Sequence, residues 1–222
     1  MYKYILFDFD GTLYDTVEGI ERSAQYALEK LGIKAELEEL RCFAGPPLVD
    51  KFMEVFGFSY DTAFRARGLF QERYIPTGVF ESRPFPGMNG FLSRLRERGL
   101  ILAVATSKPL GLAEELLERS GMRGYFDAVF GSTLEGNNIS KAEVVRRVLS
   151  SLGASREEAV LVGDTKYDVA GAHEAGLRCI GVRYGYAAPG ELEEAGADAV
   201  AGDLVELEAM LCSGGGLYLG KE

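Results

Sequence analysis

Tyr4-Ile5-Leu6-Phe7-Asp8-Phe9-Asp10-Gly11-Thr12 is the stretch from which the fold of this chain is read. Four apolar residues that run into acids and a glycine predict a short buried strand. Asp8 and Asp10 are two apart, so an extended backbone points both carboxylates to one side. A helix follows at once. Asp15 is a good N-cap with Glu18 three residues on, and Val17, Ile20, Ala24, Leu28 and Leu31 keep helical spacing until Gly32. The pattern stays helical to about Ser82, over roughly 37–43, 46–56 and 59–75. Arg83-Pro84-Phe85-Pro86-Gly87 then breaks the chain as a linker does.

Beyond the break, strand-like runs at Ile101–Ala105, Ala128–Phe130, Ala159–Val162, Cys179–Val182 and, more weakly, Ala197–Val200 alternate with helical stretches. Those helices are expected at about 88–98, 110–120, 141–152 and 167–175. Such alternation predicts an α/β fold with a parallel sheet covered by helices on both faces. The first strand belongs with this half, since no antiparallel partner flanks it. The expected division is therefore a core of residues 1–14 and 83–222 with an all-helical domain, 15–82, inserted into it. Ser213-Gly214-Gly215-Gly216 reads as a loosely docked end.

The 222 residues are 47% hydrophobic and 26% charged, with a formal net charge of −10. An acidic surface repels phosphate backbones and anionic lipids, which argues against nucleic-acid and membrane partners. Cys42, Cys179 and Cys212 are odd in number and widely spaced, so reduced, packed thiols are expected rather than a disulfide framework or zinc site. The N-terminus runs straight into a strand, and no apolar run reaches about 18 residues. Together these predict a cytoplasmic protein. The lone histidine, His173, reads as a packed or surface residue.

Ligands of open parallel sheets bind at the carboxyl ends of strands. Asp8-Phe9-Asp10-Gly11-Thr12 follows the first strand, Thr106-Ser107-Lys108 the second, and Gly163-Asp164-Thr165 the fourth, with Asp168 four residues on. Lys141 opens a helix on the same side. A concentration of carboxylates is unfavourable without a cation, and hard oxygen ligands with few soft groups suggest Mg²⁺. Thr106 and nearby backbone N–H groups are suited to holding phosphoryl oxygens.

These four clusters, in this order, resemble the four motifs of the haloacid dehalogenase superfamily and cover the chain from end to end. Ala105-Thr106-Ser107-Lys108-Pro109, Phe85-Pro86-Gly87-Met88 and Gly45-Pro46-Pro47-Leu48 are most similar to its phosphoglycolate phosphatase-like branch. The resemblance implies a Rossmann-like core, an inserted helical cap and a Mg²⁺-dependent phosphatase. It implies Asp8 as nucleophile, Asp10 as general acid and base, and Lys141 steadying Asp8 and the transferring charge. It places Thr106 on the phosphoryl group, with Ser107, Gly11 and Thr12 around it. Asp8, the main-chain carbonyl of Asp10 and Asp164 would bind the metal, with Asp168 acting through water. Three positions depart from or vary within the pattern: Ala142 stands where proline often follows the lysine, and Lys166 and Tyr167 fill variable positions.

The substrate this implies is a small phosphorylated metabolite, phosphoglycolate first, cut by a monomer or homodimer. 5′-Nucleotidase, pyrophosphatase and phosphosugar mutase activities are alternatives on the same core. Carbon–halogen hydrolysis has no leaving alcohol to protonate, so Asp10 argues against it. A non-enzymatic phospholigand sensor would require a lost nucleophile, acid, lysine or metal carboxylate, and all are present. Arg41 and Lys51 in the cap are the nearest candidates for gripping the far end of a substrate. Cap hinges are expected near Tyr14–Thr16 and Ser82–Pro86.

Overall fold

The fold is described from a computed structural model, which describes residues 2–133 and 139–212; the expected loose end at Ser213–Gly216 lies outside them. Strand β1 (Tyr4–Phe7) is followed by a two-residue strand β2 (Tyr14–Asp15) and the helices α1 (Val17–Lys30), α2 (Leu37–Leu40), α3 (Leu48–Phe56) and α4 (Tyr60–Tyr74). A second short strand, β3 (Arg83–Pro84), pairs with β2. Then come α5 (Met88–Glu97), β4 (Ile101–Pro109), α6 (Leu110–Arg119), β5 (Ala128–Ser132), α7 (Lys141–Leu152), β6 (Ala159–Gly163), α8 (Lys166–Ala175), β7 (Arg178–Val182), α9 (Glu191–Glu194), β8 (Ala199–Ala201) and α10 (Leu204–Cys212). The chain divides into two compact units. One runs to Leu13 and resumes at Pro84; the other is Tyr14–Arg83.

The first unit is built on a six-stranded sheet in the order β5-β4-β1-β6-β7-β8, all pairs parallel. The expected α/β architecture is thus present, with β1 between β4 and β6 in the interior of the sheet. Central position explains why β1 is apolar on both faces and needs no alternation. Tyr4 and Leu6 join one core layer with Val144, Val145 and Val148 of α7 and Val169 and Ala172 of α8. The alternate residue Phe7 points the other way, edge-on to Phe91 of α5 and to Phe126, with ring centroids 6.2 and 6.3 Å apart.

The elements depart from expectation in several places: Arg83–Pro84, read as a linker, is a strand paired with Tyr14–Asp15, and the N-cap of α1 is Thr16 rather than Asp15. β4 continues past Ala105 to Pro109, with an irregular register against β5 in that stretch, so Thr106 lies within the strand rather than after it. The helices α9 and α10 were not anticipated. α10 is announced by Asp203, whose Oδ1 accepts from the Val205 and Glu206 backbone N–H groups, and it buries Leu207 and Leu211 one turn apart.

The second unit is helical apart from the short strand at its ends. Phe43, Phe52, Phe56 and Phe58 form a chain of ring contacts, the tightest at 4.7 Å between Phe43 and Phe52. Arg73 makes two hydrogen bonds to the Glu81 carboxylate, which also receives Arg22.

Candidate active site

The carboxyl ends of β1, β4 and β6 and the first turns of α7 and α8 meet at one place. β1 holds register with both neighbours, Phe7 standing opposite Val104 and Val162. The backbone N–H of Asp8 continues that pairing by donating to the Val162 carbonyl at 2.8 Å. Asp8 therefore leaves a fixed strand end, and its side chain is buried.

Lys141 is the first residue of α7, where Ser140 caps the helix by accepting from the Glu143 N–H at 3.2 Å. Its buried ammonium donates to Asp8 Oδ1, to the Ala105 carbonyl at 3.0 Å and to Asp168 Oδ1 at 2.8 Å. All three donor positions are used, so the side chain has one orientation. Asp168 is set by its own helix start: its Oδ2 accepts from the Thr165 N–H and hydroxyl at 3.1 and 2.8 Å. Thr165 thus completes a capping box while aiming Asp168 at Lys141.

Asp164 is fully buried at the end of β6. Its Oδ1 accepts from the Thr12 hydroxyl at 3.2 Å and its Oδ2 from the Tyr186 N–H at 2.8 Å. Gly11 allows this approach: its φ is +83°, and a Cβ there would stand 2.0 Å from Asp164 Oδ2.

Oxygens of Asp8, Asp164 and Asp168 lie within 4.8 Å of one another. With all three ionised, the buried carboxylates against one ammonium leave two negative charges, which is the charge a divalent cation neutralises. The strain shows in the acidities. Burial pushes the Asp8 carboxyl up to about 7, Lys141 pulling against it and Asp168 adding to it. Burial, then the charges of Asp168 and Asp8, raises Asp164 well above the usual carboxylate range. Burial alone would lower Lys141, but Asp168 and Asp8 outweigh it and hold the ammonium above the ordinary lysine value. An all-oxygen, buried, doubly negative cluster fits a hard divalent cation.

The other predicted residues take different places. The Asp10 carboxylate stands outside that cluster and accepts from Lys108 Nζ at 2.9 Å. Thr106 is buried, its hydroxyl accepting from the Lys108 N–H at 3.1 Å. Ser107 is exposed, and its carbonyl receives the Ser132 hydroxyl at 2.7 Å. Thr12 is turned inward onto Asp164, as above. His173 is on the surface, 3.0 Å from Asp198.

Two groups carry contacts the sequence reading did not assign. The Lys108 side chain is 2% exposed, and its ammonium lies 5.5 Å from the centroid of the Phe9 ring. A lysine directly after two small polar residues, Thr106 and Ser107, is the signal the sequence offers. Tyr184, two residues past β7, donates its hydroxyl to the Thr12 carbonyl at 3.1 Å.

Residues 5–182 match the haloacid dehalogenase-like hydrolase family. A 5′-nucleotidase of Pseudomonas aeruginosa is 41% identical over 95% of this chain and 96% of its own length. A plasmid-encoded phosphoglycolate phosphatase of Cupriavidus necator is 34% identical over 93% of this chain and 92% of its own. The crystal structure of a predicted phosphatase from Clostridium acetobutylicum superposes with a TM-score of 0.91 at 39% identity, covering 96% of this chain and 99% of that one.

Proposed function

The chain belongs to the haloacid dehalogenase-like hydrolase family and is a phosphatase, and from that premise we propose that it cleaves a small phosphate monoester through a phosphorylated Asp8. An Asp8 oxygen attacks phosphorus as the bond to the leaving alcohol breaks, and Asp10 gives that alcohol its proton. Asp10, now a carboxylate, takes a proton from the water that attacks the phosphorylated Asp8. Phosphate leaves and Asp8 is restored. Lys141 holds Asp8 in line and offsets charge on the transferring group, while Thr106, Ser107 and Gly11 frame the phosphoryl oxygens; the Thr12 hydroxyl donates to Asp164 instead.

The observation that carries this reading is the buried Lys141 ammonium shared between Asp8 and Asp168. It leaves Asp8 oriented at an open strand end, beside a cluster that calls for a cation. Mg²⁺ is the ion proposed, held by Asp8, Asp164 and the Asp10 carbonyl, with Asp168 acting through water. When bound it supplies the positive charge that lets one anion approach another.

Among substrates, the higher identity to the protein named 5′-nucleotidase puts nucleoside 5′-monophosphates ahead of phosphoglycolate. The test is phosphate release from a panel of nucleoside 5′-monophosphates and 2-phosphoglycolate, with Mg²⁺ and in chelator. Nucleotides are expected to show the higher kcat/KM. Full activity in chelator would sink the metal reading, and faster cleavage of phosphoglycolate would reverse the substrate order. The free cysteines Cys42, Cys179 and Cys212 support a reducing, cytoplasmic setting. Among the described residues, no helix is long and apolar enough to cross a membrane.

A further inference from the structure

Asp164 is held from two sides, and one side is a segment to which the proposed reaction gives no task. Tyr184, Gly185 and Tyr186 follow β7. The Tyr186 N–H donates to Asp164 Oδ2 at 2.8 Å, while Thr12 donates to Oδ1 at 3.2 Å. The two elements are themselves tied, because the Tyr184 hydroxyl donates to the Thr12 carbonyl at 3.1 Å. The Tyr184 ring is fixed against Phe85, centroids 4.9 Å apart. Gly185 lies so close that a Cβ would stand 2.3 Å from Asp164 Cβ and 2.5 Å from the Gly11 carbonyl oxygen. A methyl group there must displace either the carboxylate or the turn that carries Thr12.

Each Asp164 oxygen therefore has one hydrogen bond and a fixed direction for its remaining lone pairs. A small hard cation demands near-octahedral geometry at about 2.0–2.1 Å, so small rotations of a ligand carboxylate cost affinity. Groups that orient ligands are what tune such sites. We propose that the Tyr184–Tyr186 segment, with Thr12, is the positioning element that sets divalent-cation affinity by locking Asp164. This rests on the metal reading above. The segment touches neither the attacking nor the leaving oxygen in that scheme, so its effect belongs to cation binding.

The test is calorimetric titration of Mg²⁺ into the full chain and its variants, with melting curves alongside. Gly185→Ala is expected to weaken Mg²⁺ binding about 10–100-fold. Thr12→Val should weaken it in the same direction, and Tyr184→Phe by less. In Gly185→Ala and Tyr184→Phe, saturating Mg²⁺ should bring kcat back to within a few-fold of the parent, with KM for the phosphate ester little changed. A merely structural role would lower Tm without moving the Mg²⁺ affinity. If Gly185→Ala does not fold, Thr12→Val and Tyr184→Phe decide: unchanged affinity in both overturns the inference. Asp164→Asn separates the two levels. Lost Mg²⁺ binding there, with parental affinity in the positioning variants, overturns this inference alone. Parental affinity in Asp164→Asn overturns the metal reading and this inference with it.

Discussion

Among the described residues, the buried polar ones in the unit built on the sheet are Asp8, Thr12, Thr106, Lys108, Asp164, Thr165 and Asp168; in Tyr14–Arg83 they are Thr16 and Ser23. The first set lies at strand ends, in the loops after them and in one helical turn. The second unit buries rings and aliphatic groups instead, and keeps its charged pairs, such as Arg73–Glu81, part-exposed. Burying charge is costly unless it is paired. The core bears that cost where a reaction needs a preorganised field, whereas the helical unit has no such cost to bear and is held by packing. The two units should therefore respond to substitution in different currencies, activity in one and stability in the other.

The largest effect should come from Asp8→Asn, which removes the proposed nucleophile while keeping its shape. Turnover is expected to fall by at least about 10⁴-fold with little change in melting temperature. A variant that still releases phosphate at a substantial rate would move the nucleophile elsewhere. Lys141→Met should come next. It leaves Asp8 and Asp168 facing each other with no ammonium between them, and steady-state assays should show kcat lower by about 10²–10³-fold. Partial recovery at high Mg²⁺ would fit a role in charge balance.

Phe52→Ala tests the other side of the contrast. Phe52 is fully buried in the ring chain of the helical unit, and its loss should destabilise by about 3–5 kcal/mol. Hydrogen exchange should rise over α3 and α4 while the β1, β4 and β6 amides keep their protection. Exchange rising equally in the sheet would show that the two units unfold as one.

The acid cluster predicts a pH dependence. Burial holds Asp8 at about 7 in the folded chain against an ordinary 3.8. The folded state keeps the extra proton between those values, so metal-free stability is fully present below 3.8 and falls as pH rises to about 7. Asp164 shifts in the same direction. Melting in chelator should be lower at pH 8 than at pH 5, and Mg²⁺ should reverse most of that loss. The smallest effect belongs to Glu81→Gln. The Arg73 hydrogen bond holds this carboxyl below its usual range, so its contribution is present at neutral pH and lost as pH falls through the lowered value. Less than about 1 kcal/mol is expected from a part-exposed pair, read from denaturant midpoints.

How much the sequence discloses follows the same division. β1 and its acids are legible because strand, turn and carboxylates are adjacent in the chain. Asp164, Asp168 and Lys141 are legible because each precedes a helix or sits in its first turn on the strand-end side. The Lys108–Asp10 pair and the Tyr186–Asp164 bond join residues distant in sequence, and no local period marks them. The extension of β4 through Thr106 escaped for a related reason: its irregular stretch carries polar residues that read as a loop.

One modest feature bears on how such a chain arises. The helical unit is entered at Tyr14–Asp15 and left at Arg83–Pro84, and these two strands pair with each other. A segment whose ends are clasped together asks little of its host, because closing a loop of any length costs only slowly more as the loop grows. The insertion point is in that sense a socket: it fixes where foreign sequence starts and stops and leaves its interior free to diverge. Variation within Tyr14–Arg83 can then accumulate without shifting the β1 end on which Asp8 stands.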